Sequence, residues 1–362
     1  MIDQNPSSST GELSEAHIRS GMVMTVRGAM PLDALGTTLM HEHLLLDARS
    51  WWHRPKEPER LHLASSPVHA GIIGELRMDP FANLDNCRLD DEKLAIAELL
   101  PFKALGGATV VDPTCRGIGR DPLALKQISE ATGLNIVMGA GYYLEGSHPP
   151  SVAQMSADAI ADEIVRDALE GVDGTGVRIG LIGEIGVSGD LTADEGKSLM
   201  GAARAQRRTG LPLMVHLPGW FRHGHRVLDI VETEGADPGH TVLCHMNPSH
   251  DDVAYQTSLA ERGAFIEYDM IGMDYWYADQ GVQCPSDEEN ARAIKRLVDL
   301  GHGERVLLSQ DVFLKMMLTR YGGFGYAYLL RHFVPRLKRH GVSEEAIRTM
   351  LVDNPRRVFG EA

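Results

Sequence analysis

The sequence predicts an α/β fold, a (β/α)8 barrel with a long first βα loop. Short, nearly continuous apolar runs occur eight times along the chain, as expected of parallel strands that are buried on both faces. Amphipathic segments of helical period lie between them, and 362 residues fit one large barrel. An open, doubly wound sheet is the alternative, since it would show the same alternation.

The eight apolar runs are the predicted strands. In chain order they cover residues 38–46, 108–114, 134–143, 179–186, 211–217, 240–246, 263–270 and 305–312. The clearest predicted helices cover residues 90–105, 156–171 and 287–301. Acidic residues precede the apolar stripe in each of these helices, and glycine follows the last two closely, which is typical of helix starts and ends.

The first connection is much longer than the usual βα loop of roughly 2 to 6 residues. About 45 residues separate the first strand from the first clear helix, and they include Trp51, Trp52, Arg54, Lys56 and Arg60. Two interpretations remain open for this loop, a lid over an active site or an insertion that shields the surface.

Domain limits and general class follow from composition. Residues 1–20 are polar and predict a flexible N-terminal tail, which leaves residues 21–362 as one domain. The formal charge of −15 disfavours nucleic acid as a partner. No signal peptide or apolar run of membrane-spanning length is found, so we expect a cytoplasmic protein that does not bind membranes. The four separated cysteines predict free, buried thiols.

Polar side chains interrupt the ends of several predicted strands. His41 and His43 are two residues apart, which in a strand places both on one face and Glu42 on the other. Comparable positions occur in four further strands, at Glu184, His216, His245 and Asp311. Buried polar groups need partners, and the carboxyl ends of barrel strands converge on one mouth. These six residues therefore predict one shared centre with two divalent metal ions.

The motifs around these residues resemble the phosphotriesterase family of the amidohydrolase superfamily. The resemblance extends from about residue 22 to residue 360 and rests on MHEHLLLD, GEIGVSG, VHLPG, CHMNP, SQD and HGVSEEAIRTMLVDNPRRVF. It implies a binuclear barrel hydrolase that acts on a small molecule, and it suggests a homodimer. By matching motifs, it implies that His41, His43 and Asp311 hold the buried metal, that His216 and His245 hold the more exposed metal, and that Glu184 bridges both.

Glu184 departs from the family pattern. Phosphotriesterases proper and many related lactonases carry a carbamylated lysine at this position, whereas a subgroup has glutamate. Members of that subgroup are not good phosphotriesterases, and some resemble amide hydrolases. A glutamate still offers two oxygens for a bridge between metals, so the expectation of a binuclear site stands.

The predicted function is hydrolysis of a carboxylic ester, lactone or amide by a metal-bridging hydroxide, with Asp311 as the catalytic proton shuttle. A role for Asp311 as ligand alone is the other interpretation. Zinc is the expected metal, with manganese and cobalt as alternatives. Phosphotriester hydrolysis and a non-catalytic barrel that binds a small ligand are the competing hypotheses.

Substrate contacts are expected from aromatic and basic residues that follow the strands. Tyr143, Trp220, Arg222 and Trp276 are the candidates. Aromatic walls suit a small-molecule pocket, and Arg222 together with the basic residues at 54–60 suggests an anionic group on the substrate.

Overall fold

The computed structural model describes residues 21–360, so the predicted tail over residues 1–20 lies outside the described residues. Eight parallel strands follow one another around a sheet in sequence order, each beside its neighbours in the chain. They are β1 (Thr37–Leu39), β2 (Gly107–Asp112), β3 (Asn135–Ala140), β4 (Leu181–Gly186), β5 (Leu213–His216), β6 (Thr241–Leu243), β7 (Phe265–Tyr268) and β8 (Val306–Leu308).

Backbone hydrogen bonds just beyond β8 and β1 bring the two ends of the sheet together. The Asp311 N–H donates to the His41 carbonyl at 3.0 Å, and the His43 N–H donates to the Val312 carbonyl at 3.3 Å. This closure confirms the predicted (β/α)8 barrel over the open sheet.

A helix follows each strand and packs on the outside of the sheet. These helices are α1 (Glu92–Ala104), α2 (Pro122–Thr132), α3 (Ala157–Leu169), α4 (Ala193–Thr209), α5 (Gly224–Thr233), α6 (Val253–Glu261), α7 (Asp287–Asp299) and α8 (Val334–Arg339). Two more short helices, Glu344–Arg348 and Asn354–Phe359, complete the C-terminal end. Capping boxes fix where two of these helices begin. Thr192 and Glu195 form one at the start of α4, and Ser286 and Glu289 form one at the start of α7.

The barrel interior is filled by apolar side chains from every strand. They form a buried layer that includes Met40, Val111, Val137, Leu181, Met214, Val242, Phe265 and Leu307. A second, larger apolar cluster lies between the strands and the helices. Because the lower barrel is filled in this way, polar side chains at the carboxyl ends of the strands have a rigid apolar floor beneath them.

The predicted first strand ends earlier than expected. Its regular part stops at Leu39, and residues 40–91 form the long first loop before α1. This loop is folded: it contains a short helix, Ile73–Met78, several 3-10 turns and an antiparallel pairing of Leu46–Asp47 with Arg88–Leu89. All four cysteine thiols are free and buried, as predicted. Over residues 21–360, no helix combines the length and apolar character that crossing a membrane requires.

Candidate metal centre

The six side chains predicted to form one centre lie together at the carboxyl end of the barrel. Glu184 is within β4, and His216 is the last residue of β5. The other four lie in the first residues after their strands: His41, His43, His245 and Asp311. All six are buried or nearly so, which is unusual for charged or ionisable groups without partners.

Glu184 is at the middle of the cluster. Its Oε1 lies 3.4 Å from His43 Nε2, and its Oε2 lies 3.2 Å from His216 Nδ1. The same Oε2 is 3.5 Å from His41 Nε2 and 3.6 Å from His245 Nε2. One carboxylate therefore contacts all four imidazoles, as a bridging ligand between two cations would.

Asp311 contacts two of the same imidazoles. Its Oδ1 is 3.3 Å from His43 Nε2 and 3.7 Å from His41 Nε2. Its backbone has a φ of +46°, and His245 has a φ of +57°. Left-handed backbone at two non-glycine residues is strained, and such strain is concentrated at functional sites.

Buried groups behind the centre contact the outward ring nitrogens of three histidines. Asp269 accepts from the His245 backbone N–H at 2.9 Å and lies 3.1 Å from its Nδ1. His41 Nδ1 is 3.3 Å from Glu267 Oε2 and 3.4 Å from Asp269 Oδ2. His43 Nδ1 is 2.7 Å from Thr114 Oγ1. These contacts fix the ring orientations and direct the Nε2 atoms of His41 and His43 toward Glu184 and Asp311.

Sequence reasoning missed Asp269 and Glu267 as members of the site. The signal was present, because two acidic residues interrupt the apolar run of β7 and its end in alternate positions. Glu42 was expected to point away from the histidines, and it does so in a specific way. Its Oε1 accepts from Ser309 Oγ at 2.8 Å and from the Gln310 N–H at 2.9 Å, and its Oε2 accepts from the Val312 N–H at 2.8 Å.

The electrostatics of the cluster depend on the histidine–carboxylate contacts. Burial alone would lower the pKa of His43, but hydrogen bonds with Asp311 and Glu184 raise it to about 9. Burial likewise opposes protonation of His245, and Asp269 raises the pKa of that imidazole to about 10. The pKa of Glu184 is well below its usual range, since the surrounding histidines outweigh the effect of burial.

This donor set fits divalent metal ions. His41 Nε2 is buried and has no hydrogen-bond partner among the described residues, although it faces two carboxylates. Two triplets of ligand atoms lie close enough to share an ion: His41, His43 and Asp311, and His41, Glu184 and His245. A divalent cation would replace the imidazole protons while pairing with the same carboxylates.

A cavity of about 380 Å³ opens directly onto the centre. Two of the four predicted substrate contacts line it, Tyr143 and Trp220. Arg222 is not among the lining residues; it pairs with Asp252 at 3.3 Å and Asp251 at 3.7 Å. Trp276 is not among them either, whereas its neighbour Tyr277 is.

Comparisons with known proteins agree with this geometry. The profile of the Phosphotriesterase family matches residues 21–359. The N-acetyltaurine hydrolase of Dictyostelium discoideum is 35% identical, over 94% of this chain and 98% of that protein. A phosphotriesterase-related protein of Nematostella vectensis is 36% identical, over 93% of this chain and 98% of that protein. Among solved structures, a resiniferatoxin-binding protein from Rhodobacter sphaeroides is 66% identical with a TM-score of 0.95, and the match covers 96% of this chain and 97% of that one.

Proposed function

Because the chain belongs to the phosphotriesterase family and is a hydrolytic enzyme, we propose that it uses two divalent metal ions to cleave the amide bond of a small N-acyl compound. The contact of the single Glu184 carboxylate with four imidazoles is the observation that carries the proposal. The continuous barrel over residues 21–360 supports a single catalytic domain.

We assign the metal-holding residues by the family motifs that they match. His41, His43 and Asp311 would hold one ion, His216 and His245 the other, and Glu184 would contact both. Imidazole nitrogens and carboxylate oxygens suit zinc, and the same donors accept manganese or cobalt. When bound, two such ions would lower the pKa of a water molecule and polarise a carbonyl group.

The side chains of this chain would position the substrate and move the proton. Asp311 lines the cavity, and its carboxylate would take a proton from the attacking water and deliver it to the amide nitrogen, so that the amine leaves. The Tyr143 hydroxyl also faces the cavity, 3.5 Å from His216 Nε2. Burial raises the pKa of this hydroxyl well above its usual value, so it remains a hydrogen-bond donor to the substrate at neutral pH.

The choice of an amide rests on two observations. The N-acetyltaurine hydrolase of Dictyostelium discoideum is similar over nearly the full length of this chain. Glutamate at position 184 also matches the subgroup that resembles amide hydrolases, in contrast to the carbamylated lysine of phosphotriesterases proper.

Metal analysis tests the centre. Protein purified without chelator should contain about two divalent ions per chain, and elemental analysis identifies the metal. In Glu184→Ala the content should fall to one ion or fewer, since both ions lose a ligand. Glu130→Ala, at an exposed position on α2, is the matched control and should retain two. Equal metal content in Glu184→Ala and wild type would refute the bridging role.

Substrate assays test the reaction. We expect metal-dependent hydrolysis of N-acetyl amines that exceeds turnover of a paraoxon-type phosphotriester. Asp311→Asn should reduce kcat by roughly 10²- to 10⁴-fold, the usual contribution of a positioned proton donor or acceptor. Asp190→Asn, a carboxylate at the exposed edge of the cavity, should have little effect on kcat. Faster phosphotriester turnover would favour a phosphotriesterase, and ligand binding without product would favour a binding barrel.

A further inference from the structure

We infer that the substrate group that enters the cavity is uncharged and carries an aromatic ring. This inference rests on the proposed amide hydrolysis and specifies its substrate class. It concerns the part of the substrate that extends away from the scissile bond, since the bond itself must lie beside Glu184 and Asp311. Three features of the cavity support it: an aromatic wall, the absence of lysine and arginine among the described lining residues, and shape.

Five aromatic residues from four different loops form a continuous surface, here called the aromatic wall: Trp51, Phe81, Trp220, Tyr277 and Phe313. Phe81 is at its centre. The Phe81 ring stacks against Trp51 at 5.3 Å and against Tyr277 at 5.5 Å, and it is tilted against Phe313 at 6.2 Å. Trp220 meets Tyr277 edge to face at 5.9 Å. All five residues line the cavity, so an aromatic ring that entered it could make ring–ring contacts with this surface.

Apart from the histidines of the centre, the ionisable side chains that line the cavity are acidic or phenolic. Among the described residues that line it, there is no lysine or arginine, whereas Glu184, Asp311 and Asp190 contribute carboxylates. Ser188 and Gln280 are the neutral polar residues at its edge. An anionic group on the part of the substrate that lies away from the centre would lose its hydration without gaining a lysine or arginine partner.

None of the basic residues that suggested an anionic substrate lines the cavity. Arg222 pairs with two aspartates, and its guanidinium lies over the Tyr255 ring at 5.4 Å. Arg60 contacts Asp79 at 2.9 Å and Glu75 at 3.2 Å. Arg54 and Lys56 are exposed and do not line the cavity. The expectation of an anionic substrate therefore loses the side chains on which it was based.

Shape supports the same class of substrate. A volume of about 380 Å³ accommodates a ring together with a short acyl amide. Leu46, Ala48, Ile118, Met270 and Met273 complete the apolar lining. A purely aliphatic chain would be buried here too, but it would forgo the ring–ring contacts that the aromatic wall provides.

A matched pair of amides tests the inference directly. N-acetyl-2-phenylethylamine and N-acetyltaurine share the acetyl group and the two-carbon spacer, and they differ in a phenyl ring against a sulfonate. With the metal-loaded, full-length enzyme, we expect kcat/KM for the phenyl compound to be at least about 100-fold higher, a typical discrimination when a polar group lacks its partner. N-acetyl-2-cyclohexylethylamine, which matches the ring in size, should fall roughly 2- to 10-fold below the phenyl compound.

A variant pair locates the effect on the aromatic wall. Phe313→Leu should raise KM for the phenyl compound several-fold while kcat changes little. The phenyl ring would contact Phe313, whereas the amide bond that is cleaved would lie at the metal centre. Phe324→Leu replaces an exposed phenylalanine outside the cavity, and it should leave both constants unchanged. Equal effects of the two substitutions would overturn the assignment to the wall.

The outcomes separate this inference from the proposed function. If N-acetyltaurine is hydrolysed as well as or better than the phenyl compound, the substrate class is wrong and amide hydrolysis stands. If neither amide is hydrolysed, the proposed function fails. The inference is then tested by comparing the affinities of the two amides for the protein. Trp51 and Trp220 line the cavity, so titration of their fluorescence measures affinity without turnover. Tighter binding of the phenyl compound would support the inference, and equal or weaker binding would overturn it.

Discussion

Glu42 should contribute more to stability than any exposed carboxylate of the chain. It is fully buried and accepts three hydrogen bonds, from Ser309 Oγ and from the backbone N–H groups of Gln310 and Val312. Both backbone donors flank Asp311, whose φ of +46° needs support from its neighbours. Glu42 therefore ties the first residues after β1 to the strained turn that presents Asp311.

Truncation in Glu42→Ala leaves the two backbone donors without an acceptor, whereas Ser309 Oγ can still donate to the His41 carbonyl at 2.9 Å. Each unpaired buried donor costs about 1–3 kcal/mol, so with partial relaxation we expect a loss of about 2–5 kcal/mol. This is a large part of the roughly 5–15 kcal/mol by which a folded protein is stable. Burial raises the pKa of Glu42 to about 8. Glu42→Gln keeps the size of the side chain and one carbonyl acceptor, so it should lose only about 1–2 kcal/mol.

Urea unfolding monitored by tryptophan fluorescence measures these differences, with Glu130→Ala as the exposed control. The kcat values should fall in the order wild type, Glu42→Gln, Glu42→Ala, because loss of these hydrogen bonds would displace Asp311. KM should change less than kcat. If Glu42→Ala unfolds within about 1 kcal/mol of wild type, the three hydrogen bonds do not hold the turn, and the reasoning is refuted.

Three further predictions concern the centre and its surroundings. Asp269→Asn should weaken metal retention by about 10- to 100-fold in a chelator competition, because Asp269 contacts the Nδ1 atoms of His41 and His245, two of the proposed ligands. Metal uptake at pH 7 should release protons from His43 and His245. Burial alone would lower the pKa of each imidazole, but neighbouring carboxylates raise it to about 9 for His43 and about 10 for His245, so a metal ion must displace a proton from each. Apparent affinity should therefore increase from pH 6 to about 9, as calorimetry in buffers of different ionisation enthalpy would show. Gly186→Ala should lower Tm, because its Cβ would lie 2.2 Å from backbone after β3, whereas Gly196→Ala meets open space in α4 and should not.

The barrel was predictable because its strands are buried on both faces. A run such as residues 179–186 is almost entirely apolar, so its one carboxylate at Glu184 stood out. Helix bounds were predictable from caps: the predicted helix over residues 287–301 corresponds to α7, which begins after Ser286 in a capping box. The first strand was predicted too long, because residues 44–46 are apolar for another reason. They pack in the core beside the cavity and do not extend the barrel ladder.

The candidate site divides into a part that sequence could predict and a part that it could not. The six proposed ligands lie at or just after strand ends, and strand ends converge by topology alone. Substrate contacts depend on how loops fold, which a single sequence does not specify. Arg222 illustrates this: two acidic residues in the next βα loop, Asp251 and Asp252, draw its side chain away from the cavity.

The long first loop contributes to the aromatic wall and also contacts the loop after β8. Trp51 and Phe81 belong to the first loop, so it supplies two of the five residues of the aromatic wall. Polar contacts hold it against the loop after β8: the Lys315 N–H donates to the Asn86 carbonyl at 3.1 Å, and the Met316 N–H donates to Asn86 Oδ1 at 2.9 Å. Its buried core residues and these anchors favour a fixed wall over a hinged lid. The same β8 loop contains Asp311. Contacts between these two loops therefore hold together the surface that would select the substrate and the carboxylate that would move the proton.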